Sequence, residues 1–199
     1  MMIQPNIIRN QRGAMFGLDA RVAIAIFGSL GLVVGITIAT TIPSVQAQSL
    51  VQDIASYRAA VEGMQYDVRQ PISQIITAGG DADIKKFEAL NDRSVVQAFA
   101  QPRWMGPYIQ SRTADAAVHE NYGQMYLIEA DTTDYTVTGC SFCSYWLRID
   151  GVPLNAFNIV NDEIDGEGEA SPATNGKVRW QAAGGGNPDR LYVRLANVL

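Results

Sequence analysis

Residues 9–67 read RNQRGAMFGLDARVAIAIFGSLGLVVGITIATTIPSVQAQSLVQDIASYRAAVEGMQYD. The apolar core of this stretch, Val22 to Ile42, carries no charge. At about 21 residues it is long enough to cross a hydrocarbon layer as a helix. Arg9, Arg12 and Arg21 all precede it, and the next basic residue is Arg58. The positive-inside rule then keeps the short N-terminal leader in the cytoplasm and puts the remainder outside it. A secretory signal peptide would have a shorter apolar region ending in a small-residue site. The candidate for one, Val45-Gln46-Ala47, has Gln46 at its centre, and the expectation is a retained span rather than cleavage after Ala47.

Hydrophobic periodicity continues beyond the span. After Pro43, residues Ala47, Leu50, Ile54, Tyr57, Val61, Met64 and Val68 recur at alternating steps of three and four, a heptad stripe on an otherwise polar helix. From Val22 to Val68 the rise per residue gives a rod of roughly 70 Å, more than twice the hydrocarbon thickness. Pro43 lacks an amide donor and predicts a kink or local break. Within the span, Gly31 and Gly35 are followed by Ala39. The G-x-x-x-G pair offers a face for close helix packing, and is equally what ordinary membrane composition produces. Asp19 and Arg21 stand together at the edge of the apolar run, and their simplest reading is a solvated pair at the membrane surface.

The leader, the span and the amphipathic extension together resemble a known family. The residues that carry the likeness are Gly13-Ala14-Met15-Phe16-Gly17-Leu18-Asp19. A short basic leader ending in a small residue, an acid shortly after, an uncharged span, a Pro and an amphipathic extension resemble a type IV pilin, of the type IVb kind, or a type II secretion pseudopilin. The resemblance implies cleavage by a prepilin peptidase on the cytoplasmic side and N-methylation of the new terminus. Cutting after Ala14 makes Met15 the first mature, methylated residue and places Asp19 fifth, where the family has Glu. Cutting after Gly13 supplies the family's usual Gly but moves the acid to sixth. The resemblance also implies that Asp19, Gly31, Gly35 and Pro43 serve filament assembly. A carboxylate beside a neighbouring subunit's amine would neutralise a charge otherwise buried unpaired.

The remaining chain has room for one head domain. Residues 70–120 are irregular: Pro71, the Gly79-Gly80-Asp81 turn, Pro102, Gly106 and Pro107 interrupt apolar patches at 83–90 and 94–100 that suggest two short helices. From Gly123 onward the text changes. Gln124 to Ala130, Tyr145 to Ile149, Lys177 to Gln181 and Leu191 to Leu195 are short, aromatic or β-branched, and separated by Gly-rich or Asp/Asn-rich turns. They predict a four-stranded antiparallel sheet. Between the second and third strands, Leu154, Phe157, Val160 and Ile164 recur at helical steps behind Pro153.

Cys140 and Cys143 form the C-x-x-C pair. A disulfide, a redox dithiol and half of a zinc site compete. Zinc lacks a second Cys pair and a nearby His, an oxidising compartment favours the disulfide, and a dithiol motif wants a helix where Tyr145 to Ile149 reads as strand. His119 is the chain's one histidine and reads as a surface residue. The acidic run Asn161 to Glu169 imitates the opening of a calcium loop, but its twelfth position is Pro172. That departs from an EF-hand and leaves a non-EF calcium site or a solvated turn. A net charge of −5 argues against nucleic acid as the main ligand.

The expected architecture is α+β, a pilin-like long N-terminal helix packed against a small antiparallel sheet. The leader is 1–14, the stem 15–69 (span 22–42, amphipathic extension 44–69) and the head 70–199. No catalytic or cofactor-binding constellation is visible. The resemblance implies a bacterial inner-membrane, single-pass filament subunit with a periplasmic head, whose partners are further pilin-like subunits and the peptidase. The rival reading is a monomeric single-pass protein with a ligand-binding or thiol-redox head.

Overall fold

The amphipathic stripe has a helix to lie on. In the computed structural model, which describes residues 44–113, 115–167 and 175–199, residues 44–68 form one helix, α1. The span 22–42 and the expectations for Gly13, Ala14, Met15, Asp19, Gly31, Gly35 and Pro43 lie outside the described residues. Among the described residues no helix is long and apolar enough to cross a membrane. In α1 the heptad stripe is buried: Ala47, Leu50, Val61 and Met64 are fully covered, Ile54 and Val68 nearly so, and Tyr57 is half-buried. Each large aliphatic removed from water this way contributes about 1.5–3 kcal/mol before entropy is counted. The helix stops at Arg69, which adopts a left-handed conformation at φ 57°, and Pro71 follows two residues later, in the usual post-helix place.

What covers the stripe is an α+β head. Strands β1 (Met125–Asp131), β2 (Cys143–Asp150), β3 (Val178–Gln181) and β4 (Arg190–Asn197) form one sheet in the order β1-β2-β4-β3, and every neighbouring pair is antiparallel. Alternation sends Leu127, Tyr145, Leu147, Ile149, Leu191 and Val193 to the face shared with α1, in one continuous core. Polar side chains of α1 stitch the same joint: Arg58 donates to the Arg194 carbonyl at 3.4 Å and Gln65 to the Asn197 carbonyl at 3.1 Å. The buried Tyr145 hydroxyl accepts from the Ile72 amide at 2.7 Å.

Two shorter helices flank α1. After α2 (Ile72–Ile75), α3 (Ala82–Glu88) packs against β1 and meets α1 through a T-shaped Tyr57–Phe87 contact at 5.3 Å. Asp81 caps its first turn, accepting from the Asp83 and Ile84 amides. Helix α4 (Leu154–Ile164) packs against β3, with Phe157 stacked on Trp180. Helices thus pack on both outer strands, in the same core as α1.

The second patch, 94–100, is not a helix. A 3-10 turn covers Arg93–Val95, Val96 is extended and bridges to Ile76, and a further 3-10 turn covers Gln101–Arg103. Asp92 explains the difference, because its carboxylate accepts from the Ser94 amide and hydroxyl and holds a tight turn instead.

Candidate functional site

Three places among the described residues combine exposed or polar groups with a defined geometry. The first is the outward side of α1. Val45, Gln48, Gln52, Ala55, Ala59, Glu62 and Tyr66 are all exposed, and they too recur at alternating steps of three and four. They form a second stripe opposite the buried one, small or uncharged except for Glu62. Steps of three and four are what a helix presents to a neighbouring helix.

The second place is a cavity of about 320 Å³ between α1 and the loops before β1, lined among others by Asp53, Tyr57, Tyr108, Arg112, His119 and Glu120. His119 is not a surface residue: its side chain is 1% exposed. Nδ1 accepts from the Asn121 amide at 3.2 Å, so the ring proton of the neutral form sits on Nε2. That nitrogen lies 3.3 Å from Asp53 Oδ2, near enough for attraction but not aligned as a hydrogen bond. Arg112, on the same loop, bridges Asp53 at 3.4 Å and Glu120 at 2.9 Å. Burial pushes the His119 imidazolium below its ordinary range, opposed by the Asp53 carboxylate. Burial, helped by Asp53, lifts the Tyr57 phenol to about 12. The serine hydroxyls lining the cavity donate to backbone carbonyls, Ser56 to Gln52 and Ser111 to Thr113. With Nδ1 engaged as well, these contacts hold the loop on the helix. Gly123 ends this loop where a Cβ would come within 2.8 Å of the Asp150 carbonyl oxygen, which accepts the Gly123 amide at 2.7 Å.

The third place is the tip of the β1–β2 connection. Cys140 and Cys143 are joined as a disulfide, and Phe142 between them is 81% exposed. Cys143 opens β2 and no helix comes after it there. The surrounding groove contains Glu129 and no Lys or Arg, and the bond staples the tip of the connection to the start of β2.

The acidic run divides. Asn161 lies buried in α4, while Asp165 Oδ2 accepts from the Lys177 and Val178 amides at 2.7 Å each, starting β3. Gly168, Glu169 and Pro172 are outside the described residues. Among the described residues no group of three or more His, Cys, Asp or Glu side chains is placed to hold a metal ion.

Of the residues singled out from sequence, the structure brings Cys140 and Cys143 together. It also assembles one group that sequence reading misses, Asp53 with Arg112, His119 and Glu120. Asp53 adjoins the buried stripe, but the partner loop is some sixty residues away, so no local spacing announces the contact. No family model, no curated protein and no solved structure matches the chain. The functional reading therefore stands on the residues alone.

Proposed function

We propose that the chain is a structural subunit of a type IV pilus-like or type II secretion pseudopilus filament. It is cut at the leader by a prepilin peptidase, held in the inner membrane by residues 22–42 and assembled through its N-terminal helix. The observation that carries this reading is the pair of opposite stripes on α1. A monomeric head needs one stripe to cover its sheet. The outward stripe, with a single charge over seven positions, suits a helix that acquires neighbours.

Retention of the span has its own support. Ala47 is wholly buried inside α1, so cleavage after it would cut the stem helix and take a residue out of the head's core. Leader processing is tested by the mass of the mature chain made alongside a prepilin peptidase. The expected species begins at Met15 and carries one added methyl group. A chain still starting at Met1, or starting at Gln48, would sink the processing step, and electron microscopy of sheared cell surfaces or pseudopilus preparations reads the filament itself.

A further inference from the structure

The lone histidine ties a loop to the stem through contacts that differ in their response to a proton. Its Nδ1 accepts the Asn121 amide, and its Nε2 faces Asp53 of α1. Asp53 is also approached by Arg112, which reaches back to Glu120. The ring packs against Tyr122 at 5.0 Å. The charged or titratable groups around the imidazole are thus Asp53 and Tyr57 from α1, and Arg112, Glu120 and Tyr122 from the loops.

We propose that His119 is an acid-sensitive clasp, which holds residues 115–123 on the stem when neutral and releases them when protonated. A second proton can enter only at Nδ1, where the Asn121 N–H already points, so two donors face each other and that hydrogen bond is lost. The new imidazolium competes with Arg112 for Asp53 and repels the guanidinium, which weakens the loop's second tie to the stem. Asp53 and Glu120 attract the imidazolium and oppose this. Burial of a side chain 1% exposed works against the charge, and the direction of the His119 shift has burial as its largest cause.

The sign comes from linkage. The histidine titrates lower with the loop closed than with it open, so the clasp's contribution is fully present above the open-state value near 6.5 and is lost as pH falls below it. The device needs no partner and holds whether or not the chain assembles.

The test uses the full chain in detergent micelles. Because the chain has one histidine, ring nitrogen signals need no assignment, and at pH 7.5 they are expected to show the Nε2–H tautomer. Amide exchange of residues 115–123, corrected for the intrinsic effect of pH, is then monitored from pH 7.5 to pH 5. It is expected to speed up by at most about tenfold per pH unit in that window, while β2 and β4 stay unchanged. His119→Gln should flatten the profile. An Nδ1–H tautomer at pH 7.5 would overturn the proposal, as would an imidazole that protonates with no change in loop exchange. Both readings come from the unmodified chain, so they decide even if the variant fails to fold.

Discussion

The two faces of the sheet are covered in opposite ways. On the inner face the cover is α1 with α3 and α4, and the contact is aliphatic and continuous, from Leu50 and Ile54 through Leu147 and Val193. On the outer face the cover is the loop after β1. There Ala130, Trp146 and Tyr192 form a small cluster with Ile128 and Tyr135, Tyr135 stacks on Tyr192 at 3.8 Å, and the Arg179 guanidinium sits 5.1 Å from the Trp146 ring. The inner face is a repeat of one kind of contact. The outer face depends on aromatic stacking, cation–π attraction and a few hydrogen bonds, such as the Trp146 indole donating to the Asp131 carbonyl at 2.9 Å. A repeated apolar contact tolerates small errors at any one position. A local stack depends on each member.

The contrast between the faces breaks most visibly at Ile54. Ile54→Asp puts a carboxylate at a position 1% exposed, at a cost of more than about 4 kcal/mol, enough to abolish cooperative unfolding in a urea titration monitored by circular dichroism. A variant that still unfolds cooperatively near the original midpoint would deny the inner face its role. Trp146→Ala comes next, with an expected loss of about 3–5 kcal/mol for a fully buried indole. Exchange protection within α1 should survive, since the outer cluster shares no side chain with it. Loss of protection along α1 as well would show the two faces to be one unit.

The third change sharpens the outer face alone. Replacing Cys140 and Cys143 together by serine removes a staple that closes a very short loop, and the chain-entropy model assigns it about 2 kcal/mol. A thermal melt should fall by several degrees without altering the inner core. The smallest effect on stability is expected on the outward stripe. Ala59→Arg should change the unfolding free energy by less than about 0.5 kcal/mol, yet stop filament formation if that stripe meets neighbouring stems. Normal filaments from a stably folded variant would count against the stem-to-stem part of the proposed function.

The ease of reading the chain obeys the same division. The stripe from Ala47 to Val68, the four strands and α4 are all visible as periods of 3.6 or 2, because each buries one face against a layer and the repeat must match its geometry. Even so, β2 and β4 extend beyond the apolar runs that mark them, to Cys143 and Asn197, since antiparallel pairing continues wherever a partner strand is present. The segment 94–100 misleads because its apolar residues have helical spacing while Asp92 offers the backbone a tighter turn. His119 misleads for a different reason. A lone polar residue in a loop has no period, and its burial depends on Asp53, which only folding brings near.

The sequence by itself determined the elements: an apolar run long enough for a membrane, a heptad stripe, four alternating strands and a C-x-x-C pair. Those features are local, and local periodicity is set by the fixed rise and turn of helix and strand. Tertiary structure alone decided that β4 lies between β2 and β3, that the loop after β1 folds over Trp146 and Tyr192, and that Asp53 faces His119. Each of these joins residues far apart in the chain, and the choice among such pairings is made by the fit of whole surfaces, which no single stretch of residues encodes.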